Sequence, residues 1–228
     1  MSIGIIVASS KEAKPFFDIF GQPNTTTSGK TGGFEVSEWW FYCARNIYLV
    51  VSGVGEIAAA AATQYLIDRY RVEGIINYGV VGGTREDLTE TEYGIVEKVV
   101  HYDFDISLEP GYRVGQYPGH DDVFLRPVAS AIPNHLTEHL PKLICASADK
   151  FVAAGEPKRN LRREFGADIC EMEAAGILIT CNRNNVPCTI IKAVSDGVDK
   201  DADAFDKYLY DASKNCVLSI AKALQGSH

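Results

Sequence analysis

The sequence has no run of about 18 apolar residues, so it offers no helix able to cross a bilayer. It also lacks basic excess: 22 Lys and Arg stand against 30 Asp and Glu, a net charge of −8. That balance argues against a protein that grips nucleic-acid phosphates through a basic face. Paired cysteines are missing too. Cys43, Cys145, Cys170, Cys181, Cys188 and Cys216 are scattered, with no C-x-x-C pair, and several lie in apolar runs. Small buried thiols in a reduced protein fit that pattern better than a disulfide framework. His135 and His139 are spaced i, i+4 on an expected helix, but no third ligand accompanies them, so neither a metal nor another cofactor is expected. The first residues have a short apolar run, no preceding basic region and an early Glu12, unlike a secretory leader. These absences together lead to the expectation of a cytoplasmic protein without nucleic-acid or membrane partners.

What is present suits a sizeable folded core. The chain has 228 residues, 46% of them hydrophobic, and reads as one domain over 1–228, without repeat or linker. Apolar, β-branched runs predict strands at 3–8, 34–42, 47–52, 74–83, 93–102, 142–148, 169–171 and 188–194. Between them lie helical stretches: from Lys11 with Ser10 as cap, 56–71, 158–165, 172–182 and 204–224. Residues 123–140 also read as helical, broken near Pro127 and Pro133. Residues 103–122, rich in Gly, Pro and charge, read as a long functional loop. Strands alternating with helices imply the α/β class, with a central mixed, mostly parallel sheet in a three-layer α/β/α arrangement.

In such folds ligands gather where strands end. Polar residues just past the apolar runs are few: Ser9 and Glu12, then 77–83, 147–149, Glu171-Met172-Glu173 and Ser195-Asp196. Glu12, Glu173 and Asp196 therefore converge on one edge of the expected sheet. A single carboxylate there would be an ordinary cap or a solvated charge, but three following buried strands point to acid–base chemistry. Gly53-Val54-Gly55 precedes a helix, but neither G-x-G-x-x-G nor a P-loop is present, so it reads as a tight turn.

The ordered motifs G-I-I-x-A…E at 4–12, S-G-V-G at 52–55 and I-N-Y-G-V-V-G-G at 76–83 carry a resemblance. S-A-D-K-F-V at 147–152, E-M-E-A at 171–174 and V-S-D at 194–196 extend it. The sequence resembles the nucleoside phosphorylase/nucleosidase family from Ile3 to about Tyr208. Within it, the likeness is to the branch that hydrolyses 5′-methylthioadenosine and S-adenosylhomocysteine. The resemblance implies a hydrolase of N-glycosidic bonds. Asp196 would protonate purine N7, oriented by Ser195, and Glu12 would be the base for the attacking water. Glu173 would hold the ribose hydroxyls and stabilise an oxocarbenium-like sugar. Phe151 would stack on the purine, the Val152 backbone would read its edge, and Met172 would pack under the ribose. Glu171, Val54, Ser9 and Phe205 complete the implied substrate lining. The resemblance also implies a homodimer in which loop 103–122 crosses to the partner's site, with Ile106, Tyr112 and Pro118 at the contact positions.

Departures from the family pattern bear on the substrate. A phosphorylase would have Arg at the position of Asn77 and Ser or Thr at that of Val80. Without them a phosphate is under-satisfied, and Glu12 would repel it, so water is the expected nucleophile. Nucleosidases commonly carry Ser at Val80, Arg at Lys192 and Met at Ser9. Ser9 makes the 5′ pocket more polar, which leaves a futalosine-type or other modified nucleoside as an alternative substrate. A phosphate-dependent phosphorylase and a non-catalytic nucleoside-binding module are the other readings.

Overall fold

The computed structural model describes residues 2–28, 33–41, 45–200 and 202–225, with the side chains of 41, 45, 202–205 and 225 outside that description. β1 (Ser2–Val7) carries Ile3, Ile5, Ile6 and Val7, all buried, so its sheet must be covered on both faces. It pairs in parallel with β4 (Arg45–Val51) and with β5 (Gly74–Gly83). β5 runs parallel to β10 (Cys188–Asp196) and antiparallel to β9 (Ile169–Glu171). β6 (Tyr93–His101) is antiparallel to β10 and to β7 (Phe124–Leu125), and parallel to β8 (Lys142–Ser147). β8 in turn runs parallel to β9. β3 (Glu35–Phe41) is antiparallel to β4, and β2 (Thr25–Ser28), which the sequence did not signal, is antiparallel to β3.

Because β5 pairs with both β9 and β10, the strands β5, β10, β6, β8 and β9 close a ring, and β1, β4, β3 and β2 extend from it. The sheet is mixed, as expected, but not mostly parallel: five of its ten described pairings are antiparallel. The β2–β3–β4 meander, the β10–β6 and β5–β9 pairs of the ring, and the β6–β7 pair outside it account for that half.

Helices α1 (Ser10–Phe20) and α5 (Ala202–Gln225) bury Phe16, Leu209, Val217 and Ile220 against one face. Helices α2 (Glu56–Tyr70) and α4 (Ala174–Arg183) bury Ala59, Ala62, Leu66, Ile177 and Leu178 against the other. α3 (Glu156–Phe165) packs Leu161 against Val100, Ala146 and Cys170.

Two local readings are corrected. Residues 123–140 are not helical: they form β7, turns and a 3-10 turn at Asn134–Leu136. Pro127 and Pro133 remove two donors and push the residues before them out of helical conformation. The freed backbone is satisfied from β10 instead, where Thr189 Oγ1 accepts from Ala131 and Ile132 nitrogens at 2.9 and 3.2 Å. His135 and His139 are consequently exposed on turns, not paired on one helix face, and no group of potential metal ligands occurs among the described residues. The cap of α1 is Ser9 rather than Ser10: Ser9 is extended (φ −137, ψ 157) and its oxygen accepts from the Glu12 nitrogen. Cys145, Cys170, Cys181, Cys188 and Cys216 are free and buried, as expected; Cys43 lies outside the described residues.

Candidate active site

The ends of β1, β5, β9 and β10 and the start of α1 surround a cleft of about 330 Å³. Glu12, Glu173 and Asp196 all line it, although each is itself largely buried. The remaining walls are mostly apolar: Ala8, Val54, Val80, Val81, Phe151, Val152, Met172 and Leu209. Such a cleft, apolar with a few convergent polar groups, has the character of a small-molecule site.

Glu12 is set by three elements. Its Oε2 accepts from Ser9 Oγ at 2.8 Å, and its Oε1 accepts from the Val80 backbone nitrogen at 3.0 Å. Val80 thus donates through its backbone, although its side chain offers nothing. The carboxylate approaches β5 closely enough that a methyl group at Gly79 would stand 2.6 Å from Oε1, so a larger residue there would push the Glu12 carboxylate aside. Asn77 is not part of the lining: its amide donates to the Ile6 carbonyl at 3.0 Å inside the sheet.

Glu173 caps the space between α2 and α4. Its Oε1 accepts from the Gly55 nitrogen at 3.0 Å. Burial, reinforced by the neighbouring Glu171 charge, pushes its carboxyl up to about 7. Glu171 behaves differently. Burial alone would raise it, but Lys192 Nζ at 3.0 Å and the Ser147 hydroxyl more than compensate and hold it below the usual range. It also accepts from the Glu173 and Ala174 nitrogens. Burial would lower Lys192, yet the Glu171 and Glu173 charges outweigh it and keep the ammonium protonated. Glu56 joins this network through Ser147, and burial together with the Glu171 charge pushes it up to about 8. The expected substrate contact Glu171 therefore has both oxygens occupied inside the protein.

Asp196 sits at a β-bulge. The β10–β5 register shifts between Val194 and Asp196, so that Asp196 stands opposite Gly82. Ser195 Oγ donates to its Oδ1 at 2.7 Å, and Lys158 Nζ donates to its Oδ2. Lys158 is 1% exposed and Asp196 5%. The sequence reading missed this lysine. A signal did exist: Leu161 marks the buried stripe of α3, and Lys158 precedes it by three residues on the same face.

Of the expected site residues, Ser9, Glu12, Val54, Phe151, Val152, Glu171, Met172, Glu173 and Asp196 come together around the cleft. Ser195 stands behind it, bonded to Asp196 and to the Val81 carbonyl. Ile106, Tyr112 and Pro118 do not line the cleft of their own chain. Phe205 lies on α5, its side chain outside the described residues. Cys170, Leu209, Lys11 and Lys150 line the cleft without having been singled out.

The sequence matches the Phosphorylase superfamily over residues 2–225. A 5′-methylthioadenosine/S-adenosylhomocysteine nucleosidase of Hydrogenovibrio crunogenus is 34% identical over 206 residues, covering 85% of this chain and 86% of its own. The structure resembles a Helicobacter pylori 5′-methylthioadenosine/S-adenosylhomocysteine nucleosidase crystallised with a pyrrolidine-based ligand, at TM-score 0.89 and 25% identity, over 99% of this chain and 98% of that one. It resembles futalosine hydrolase from the same organism at TM-score 0.88 and 25% identity, with the same coverage.

Proposed function

This chain belongs to the phosphorylase superfamily, and from that premise we propose that it hydrolyses the N-glycosidic bond of a purine nucleoside of the 5′-methylthioadenosine/S-adenosylhomocysteine type to free base and sugar. The observation that carries this reading is the set of three carboxylates, Glu12, Glu173 and Asp196, on one apolar-walled cleft, with no arginine among its described lining residues. A phosphate co-substrate would meet Glu12 without a guanidinium to hold it.

In this reading Asp196 delivers a proton to N7, so that the base leaves neutral. Glu173 takes the ribose hydroxyls, and its charge stabilises the cationic sugar more strongly as the bond breaks. Glu12, aimed by Ser9 and the Val80 nitrogen, accepts the proton of the attacking water. Phe151, Val152, Met172 and Val54 form the base and ribose walls, and Ser195 orients Asp196. Glu171 acts indirectly, as the anchor joining Lys192, Ser147 and the start of α4. No cofactor is assigned a role.

The whole chain serves as a single three-layer α/β/α domain working in the cytoplasm. Its loop 103–122 reaches a second copy, where Ile106, Tyr112 and Pro118 complete the 5′ pocket. The support is chemical: Leu108 in that loop is 100% exposed, as are large parts of Val54 and Phe151 at the cleft mouth.

The test is a nucleoside panel assayed for free base and free sugar, with and without phosphate. Base release from 5′-methylthioadenosine in phosphate-free buffer is expected. A strict phosphate requirement, with sugar 1-phosphate as product, would make the chain a phosphorylase. Turnover confined to futalosine-type compounds would reassign the 5′ group while keeping the chemistry.

A further inference from the structure

Asp196 needs a proton to give, yet its surroundings are those of an ionised carboxylate. Oδ1 accepts from Ser195 Oγ and Oδ2 accepts from Lys158 Nζ, so both oxygens face donors. The lysine is anchored by more than this contact. Its Nζ also donates to the Gly197 carbonyl at 2.8 Å. Its stem passes under β5, where a methyl group at Gly82 would stand 3.1 Å from both Cε and Nζ. The first turn of α3 thus threads an ammonium through the wall of the ring to the back of Asp196. Lys158 is absent from the cleft lining and can act on a substrate only through that carboxylate.

We infer that Lys158 is a positioning residue that stores the proton Asp196 passes to the purine. This rests on the reading of the cleft as a nucleoside hydrolase site. The proton moves from Nζ to Oδ2, and the resulting carboxyl donates to N7. The C1′–N9 bond breaks, and its electron pair stays with the base. Water adds at C1′ and gives its proton to Glu12. Lys158, left neutral, regains a proton from solvent as Glu12 loses one, so the cycle closes. Cys170, the neighbouring titratable group on β9, stays a neutral thiol, because burial pushes it up to about 12.

Charge and proton supply make opposite predictions for two variants. Arginine keeps the charge and donates to Oδ2, but cannot surrender a proton. Methionine removes both the charge and the donor, so Asp196 must take its proton from another source, but no fixed cation holds it as a carboxylate. Lys158→Arg should therefore be the more damaging, lowering base release from a purine nucleoside by about 10²–10⁴-fold, the usual contribution of a positioned acid. Both variants should still cleave 4-nitrophenyl riboside, whose leaving group departs without protonation. Lys158→Arg matching or exceeding Lys158→Met on the purine substrate would overturn the inference, as would parallel loss on both substrates. Infrared difference spectra of resting wild type against Asp196→Asn give a check independent of variant stability. An ionised Asp196 is expected, and a protonated one would overturn the inference. Failure of wild type itself to release base from any purine nucleoside would instead remove the reading of the cleft beneath it.

Discussion

At the cleft, four acidic side chains within one small volume have been given unlike electrostatic surroundings. Glu171 is paired with Lys192 and Asp196 with Lys158, whereas the described hydrogen bonds to Glu12 come from a hydroxyl and a backbone nitrogen, and that to Glu173 from a backbone nitrogen. Separation of environments is how one site holds an acid and a base at the same pH. Glu173 offers a direct readout. Its carboxyl is pushed up to about 7 by burial and the Glu171 charge, so it is neutral below that value and charged above it. Only the charged form stabilises a cationic sugar. The kcat/KM profile should therefore fall as pH drops through about 7, and Glu173→Gln should lower turnover and erase that limb. A limb unchanged in the variant assigns it to another group. Asp196→Asn and Glu12→Gln should each cost about 10²–10⁴-fold in turnover while still binding a nucleoside, as measured by calorimetry. Near wild-type turnover in either variant would remove that residue's role.

At the level of elements, α1 shows how one serine serves both structure and chemistry. Ser9 closes the helix by accepting from the Glu12 nitrogen at 3.3 Å, and its hydroxyl donates back to Glu12 Oε2. Ser9→Ala should cost about 0.5–2 kcal/mol of stability in denaturant unfolding, as cap removal generally does. It should also reduce turnover, because Glu12 loses one of its two described tethers. A stable but slow variant would separate the two effects; a variant unchanged in both would show that the tether does nothing. The reading of Ser9 as a polar 5′-pocket residue is modified accordingly, since its hydroxyl faces Glu12.

The strands were legible because β1, β5 and β10 are dominated by apolar, β-branched residues, interrupted by single polar ones such as Asn77 and Lys192. The three carboxylates were legible because each stands at a strand end: Glu12 after β1, Glu173 after the short β9 and Asp196 closing β10. What escaped was set by tertiary contacts. β2 is Thr25–Ser28, entirely exposed, with no apolar face to betray it. The segment 123–140 has helical composition, but its backbone bonds go to β6 and to Thr189. Lys158 is one of several charged residues on a mostly polar helix, and nothing in its own segment says that its partner lies on β10.

For the whole molecule, the exposed apolar groups bear on how many chains make one site. Val54, Ile57 and Phe151 are exposed to 63%, 81% and 62%, and the first and last of them line the cleft. Loop 103–122 holds its own shape through Phe104 stacked on Tyr117 at 4.0 Å, with His101 bonded to the Tyr117 hydroxyl at 2.7 Å. That rigid base presents Leu108 to solvent. An ordered loop with an exposed apolar tip and a cleft with an exposed apolar rim suit a two-fold interface in which each covers the other. If so, the two halves of a site can be damaged separately. An Asp196→Asn subunit has a dead cleft and an intact loop; a Tyr112→Ala subunit with Ile106→Asp has the reverse. Each homodimer is inactive, but a mixed dimer contains one cleft with Asp196 and an intact loop from its neighbour. After co-refolding, random pairing makes half the dimers mixed, with one of two sites restored, so activity should recover to about one quarter of wild type. No recovery above the sum of the two parents, with mixed dimers demonstrated by mass spectrometry, would place the loop on its own subunit's surface. A fully active monomer by light scattering at assay concentration would do the same without any variant.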